Sequence, residues 1–231
     1  MATAADIIIY GTPGADGLTV PNAPDAQPPV SANGADGYYS WFHYVPATNG
    51  VAGVNAPQPG LNGNGGGNGG DAGSFQLQVT NLQLSSPLSI ISTGGAGGNG
   101  SAGGNGGAGG TGGNAGNNNS SHSSLTANGG IGGNGTDGGT GGNAGNGGNG
   151  GSIQVRYHTA NIQDAPVTVK SIGGNSGTAG TGGVGGVGGN GGRNFPASNG
   201  FANNGQNGHT SNGGAIGTGG QGSNDTSVGQ Y

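Results

Sequence analysis

The sequence predicts a fold without α-helix: a bundle or sandwich of polyglycine-II helices, of the polyproline II type, with short antiparallel β modules set among them. Three observations carry that expectation. Glycine recurs in a strict three-residue phase, the chain is too poor in apolar residues for a conventional core, and two modules between the glycine runs alternate with period two. Of 231 residues, 65 are Gly and 29 are Asn, 28% are hydrophobic and 5% are charged. Ordinary soluble domains carry roughly 45–50% apolar and 25% charged residues.

The triplets come first. From Gly94 to Asn117 the chain reads GGA GGN GSA GGN GGA GGT GGN AGN, and from Gly129 to Ser152 GGI GGN GTD GGT GGN AGN GGN GGS. A third run, GGN SGT AGT GGV GGV GGN GGR, starts at Gly173, and shorter runs occupy Gly60 to Ser74 and Gly213 to Asn224. A flexible linker has no reason to hold this phase. Three residues per turn at about 3.1 Å rise matches the left-handed extended helix, so eight triplets span on the order of 74 Å. Such a helix has no internal hydrogen bonds, and its N–H and C=O groups must pair with neighbours. A side chain at Gly106 or Gly141 would then enter a backbone-to-backbone contact. Collagen is excluded for these runs, because they contain no Pro.

The β modules are SFQLQVTNLQLSSPLSIISTGG (Ser74 to Gly95) and SIQVRYHTANIQDAPVTVKSIGG (Ser152 to Gly174). Phe75, Leu77 and Val79 alternate with Gln76, Gln78 and Thr80, and Ile153, Val155 and Tyr157 with Gln154, Arg156 and His158. That is the signature of half-buried strands, with Pro87 and Pro166 at a turn or edge. The modules align at an offset of about 79, as Asn81 with Asn161. Within a glycine-triplet region of 60–231, residues 60–138 and 139–217 read as two copies of one unit. The linker NNNSSHSSLTAN (Asn117 to Asn128) reads as a polar turn.

Residues 1–59 form a segment of different composition, with most of the Pro, four Asp and no Lys or Arg. Ile7, Ile8, Ile9 and Tyr10 read as a short apolar strand. Tyr38, Tyr39, Trp41, Phe42 and Tyr44 place five of eleven aromatics within seven residues. Two readings of that cluster stand side by side: a hydrophobic cap on the glycine scaffold, or a subunit contact or sugar-stacking surface, since Trp and Tyr supply rigid amphipathic area.

Several function classes are excluded. Three basic residues, Arg156, Lys170 and Arg193, cannot neutralise a phosphate track, so no nucleic-acid partner is expected. There is no Cys or Glu and no acid–base cluster, so neither an enzyme nor a cofactor is expected. No run of 18 apolar residues exists for a transmembrane helix. MATAADIIIYG lacks the basic and long apolar regions of a secretory signal, so export is expected by another route or in a virion. GGNGTDG (Gly132 to Gly138) and GTPGADGLT (Gly11 to Thr19) partly match a calcium-binding nonapeptide, but the aliphatic position after Asp137 is Gly139. A solvated loop Asp is the better reading. The four His are scattered, so no metal is expected.

GGAGGNGSAGGNGGAGGTGGNAG (Gly94 to Gly116) resembles the repeats of the mycobacterial polymorphic glycine-rich sequence proteins. It is also similar to the polyglycine-II sandwich of phage tail-fibre tip adhesins and, more loosely, to glycine-triplet antifreeze proteins. The resemblance implies a polyglycine-II scaffold with structural or recognition duties outside the cell, at a cell surface or on a virion, and carries over no site residue.

The leading expectation is a self-assembling structural subunit of an extracellular filament, fibre or surface matrix, its main partner being itself. Ile7, Ile8, Ile9, Tyr10, Trp41, Phe42 and Tyr44 are the candidate subunit contacts. The alternative is a receptor- or glycan-binding adhesin whose turns hold the recognition residues, with His122, Phe195 and Phe201 as candidates. An ice-binding protein is the third reading, resting on the regularly spaced small residues of the triplets.

Overall fold

The computed structural model describes residues 6–162 and 165–231. Residues 1–5 of the amino-terminal segment and 163–164 of the second module lie outside them. The strands are β1 (Ile7–Tyr10), β2 (Tyr38–Ser40), β3 (His43–Val45), β4 (Phe75–Gln83), β5 (Leu88–Thr93), β6 (Ile153–Asn161), β7 (Val167–Ile172) and β8 (Thr226–Gln230). Two single 3-10 turns, Ser120–His122 and Ala197–Asn199, are the only helical pieces among the described residues.

The expected polyglycine-II bundle with antiparallel modules is corrected here. The regular structure is β, and it is largely parallel: β1-β5-β7 form one three-stranded sheet and β4-β6-β8 another. Among the strands of the described residues the β2–β3 ribbon alone is antiparallel, beside the isolated antiparallel bridges Ala127–Phe195 and Arg193–Phe201. The glycine runs carry no assigned helix. The parallel pairing follows from the duplication: each strand of one copy lies beside its equivalent in the other, Phe75 opposite Ile153 and Leu88 opposite Val167. The two halves of a module, β4 and β5, do not pair with each other. They fall in different sheets, and the apolar sides of those sheets form the core. Ile90, Ile153 and Val155 are completely buried, with Leu82, Phe75, Leu77, Val169 and Val228 packed around them. Ser92, also buried, joins the sheets: its Oγ accepts the Gly151 N–H at 2.9 Å and donates to the Gly73 carbonyl at 3.3 Å.

The glycine runs continue both sheets as six extended segments, roughly 11–37, 48–73, 94–117, 128–151, 173–193 and 202–222. The first, third and fifth run parallel in one layer; the second, fourth and sixth run the opposite way in the other. Each triplet of an inner segment divides its backbone between them. In the third segment, Gly97 donates to the Asn175 carbonyl in its own layer and Gly98 to the Gly67 carbonyl across the layers, both at 2.8 Å. The third residue, Asn99, faces outward and is exposed.

At most inner positions a neighbouring backbone leaves no room for a side chain. A Cβ on Gly106 would press into the Thr136 carbonyl oxygen, and one on Gly141 into that of Gly180. Asn and Asp complete the ladder. The Asn99 N–H donates to Asp16 Oδ1 at 2.7 Å, and Asn99 Oδ1 in turn accepts the Thr178 N–H at 2.9 Å. On the other face Asn146 donates to Asn68 and accepts from Thr218, each at 2.9 Å. A third N–H per triplet, which no neighbouring carbonyl reaches, is thereby satisfied.

Candidate functional site

Three connections converge at the end of the layers opposite the sheets. The β2–β3 hairpin joins the first segment to the second, the loop with Ser120–His122 joins the third to the fourth, and the loop with Ala197–Asn199 joins the fifth to the sixth. The segments end level there, with Gly37 bonded to Asn117 and Ala115 to Arg193.

The hairpin stem is anchored through Tyr44. Its hydroxyl donates to Asn118 Oδ1 and accepts the Asn119 N–H, each at 3.0 Å. The buried Asn118 also accepts the Ala47 N–H at 2.8 Å and donates to the Leu125 carbonyl at 3.2 Å. The Tyr44 ring stacks on His122, with centroids 3.9 Å apart and planes at 9°. Tyr39 meets both rings edge-on, at 5.2 and 5.6 Å. His122 Nδ1 lies 2.9 Å from Asn119 Oδ1, which fixes the ring from its other side.

On this stem stand Trp41 and Phe42, between the closing pair Ser40 and His43, and they are 92% and 93% exposed. Two-residue hairpin turns favour Gly, Asn and Asp for their conformational tolerance. Here the two positions hold bulky aromatic side chains instead, their rings tilted by 56° with centroids 6.2 Å apart. Tyr38 and Tyr39, at 60% and 63% exposure, extend the aromatic surface down the ribbon.

The other candidate residues take different places. Phe195 is half-buried against Ala47, Ala115 and Ala127, and it exchanges backbone hydrogen bonds with Ala127, so it pins the third loop. Phe201 is exposed opposite Arg193 and overlooks a shallow recess with Asn190, Gly191 and Asn204. Ile7 to Tyr10 lie at the far end of the molecule, in edge strand β1. Ile7 and Ile9 turn toward the core side, while Ile8 and Tyr10 face outward. Tyr44 and His122 come from different candidate sets and about 80 positions apart in sequence, yet the fold makes them one stack.

The Asp residues of the two calcium-like motifs act as backbone acceptors. Asp16 accepts from Asn99. Asp137 Oδ1 accepts the His209 N–H at 2.6 Å and lies 3.0 Å from His209 Nδ1. These bonds, the backbone one foremost, hold the exposed Asp137 carboxyl below its ordinary pKa. Among the described residues no group of three or more His or Asp side chains forms that could hold a metal ion. None of the described helices is long and apolar enough to cross a membrane.

No family model matches the chain, and no curated protein matches it. A solved structure, the nine polyproline type II helical bundle springtail antifreeze protein from Granisotoma rainieri, aligns at 23% identity over 78% of this chain and 96% of that one. Its TM-score is 0.10, at which the likeness carries no argument.

Proposed function

We propose that this protein is a non-enzymatic recognition module acting outside the cell or on a virion, in which the cross-bonded layers form a stiff stalk and the aromatic loop end binds a receptor or glycan. The observation that carries this reading is the hairpin turn. Trp41 and Phe42 contribute nothing to the core, occupy positions where other residues fold better, and stand almost wholly in water on an anchored stem. Exposed aromatics in a contiguous patch mark contact surfaces, and departures from local folding preference concentrate at functional sites. Flat aromatic faces suit the apolar faces of sugar rings and the shallow pockets of a protein receptor alike.

The test is binding of the purified protein to glycan arrays and to whole bacterial and animal cells, comparing wild type with Trp41→Ala/Phe42→Ala. Loss of at least tenfold in affinity is expected, with unchanged thermal stability, because neither side chain is packed. Undiminished binding by the double variant would refute the assignment of the site.

End-to-end assembly is the second reading. Ile8 and Tyr10 face outward at the sheet end while Trp41 and Phe42 project from the loop end, so the two ends of successive copies could meet head to tail in an open filament. Electron microscopy across a concentration series separates the two: filaments that vanish in the Trp41→Ala/Phe42→Ala variant would favour assembly over ligand binding.

A further inference from the structure

Which positions need glycine is decided by where neighbouring segments lie. In an inner segment a Cβ on the residue that donates across the layers would strike the in-layer neighbour, as Gly98 would strike the Ala15 carbonyl. A Cβ on the residue that donates within the layer would strike the opposite layer, as Gly132 would strike the Gly189 carbonyl. At the two long edges of the molecule these positions change identity. The first segment carries Leu18, Pro21 and Pro24 where the third has Ser101, Gly104 and Gly107, and the second segment carries Val51, Val54 and Leu61 where the fourth has Gly130, Gly133 and Gly139. On the opposite edge the sixth segment carries Asn204, Asn207, Thr210 and Ile216 where the fourth has Gly132, Gly135, Gly138 and Ala144.

The backbones of these edges are complementary. The N–H groups of Gly182 and Gly185 on the fifth segment find no partner among the described residues, and neither do the carbonyls of Asp16, Thr19 and Asn22 on the first. In the interior, the equivalent groups bond to each other, as Gly17 does to Asn99 and Gly103 to Thr181. A second copy of this chain, placed with its first and second segments beside the fifth and sixth, would continue both layers.

We infer that this docking surface for a second copy is closed by the edge side chains, so that the width of the molecule is fixed at six segments. Leu18 is 78% and Ile216 88% exposed, each standing where an added segment would have to lie. Asn204 and Asn207 go further, turning their Oδ1 atoms onto the N–H groups of Gly191 and Gly188, at 2.9 and 2.8 Å. Open edges invite pairing, and Pro is among the usual means of blunting them; here bulky and Asn side chains stand beside it. The inference is independent of the role proposed for Trp41 and Phe42, neither of which belongs to these edges.

The experiment replaces both sets with glycine: Leu18→Gly, Pro21→Gly, Pro24→Gly, Val51→Gly, Val54→Gly and Leu61→Gly on one edge, Asn204→Gly, Asn207→Gly, Thr210→Gly and Ile216→Gly on the other. The combined variant is expected to form ribbons two layers thick at concentrations where wild type sediments as a monomer, with new amide protection at Gly182 and Gly185. Each half-set alone is expected to stay monomeric. A combined variant that folds and remains monomeric overturns the inference. Hydrogen exchange on wild type serves even if the variant does not fold. There the Gly182 and Gly185 amides are expected to exchange roughly a hundredfold faster than those of Gly183 and Gly186. Equal protection at all four, or protection of Gly182 that grows with concentration, overturns it as well.

Discussion

Asn146 shows what a single residue does in this molecule. It sits on the outer face, donates its N–H to Asn68 and offers Oδ1 to the N–H of Thr218. The side chain thus stands in for a carbonyl the neighbouring segment does not supply. Asn and Asp suit this duty because one methylene sets Oδ1 beside the next backbone, whereas Gln carries its oxygen a bond further. Asn146→Ala is therefore expected to lower stability by about 0.5–1.5 kcal/mol, the net worth of one such bond. Asn146→Gln should rescue little of it; thermal melts of the two variants check this, and full rescue by Gln would show that reach is unimportant. The frequency of Asn was plain in the sequence, but its role was not, because an acceptor is recognisable only once its donor has been placed beside it. The loop end was legible in the same partial way. Trp41, Phe42 and Tyr44 stood out as a cluster, whereas the stack of His122 on Tyr44 depends on two segments ending level.

At the scale of the elements, period-two alternation located β4 and β6, and the apolar run Ile7 to Tyr10 located β1. Their pairing was not legible. β4 and β5 are neighbours in sequence with Pro87 between them, which reads as an antiparallel hairpin. Instead the glycine segments on either side hold them in opposite layers. The duplication then sets like beside like. The core that results is small, so each buried residue carries a large share of it. Ile153→Ala, at a completely buried position, is expected to cost about 2–5 kcal/mol. Ile8→Ala, on the outward face of β1, should stay within about 0.5 kcal/mol. Urea unfolding of both variants measures the contrast, and equal losses would place Ile8 in a contact that this fold does not give it.

For the molecule as a whole, what replaces the missing core is the backbone itself. An ordinary domain of this length is held chiefly by apolar burial, and unfolding it exposes apolar surface that raises the heat capacity by about 12–15 cal/mol/K per residue. Here only 28% of residues are hydrophobic, many of them stand exposed along the edges and at the loop end, and the interior of the layers is amide packed on amide. Exposing polar amide surface lowers the heat capacity. Unfolding should therefore show a heat-capacity increment per residue clearly below about 12 cal/mol/K, with an enthalpy dominated by broken hydrogen bonds. The stability curve would then be flatter than usual, so stability would change little on cooling. Differential scanning calorimetry at several pH values gives the increment directly, from the slope of enthalpy against melting temperature. A value in the ordinary range would mean that far more apolar surface is buried than the double sheet around Ile90, Ile153 and Val155 provides, and that backbone pairing is not what holds the stalk together.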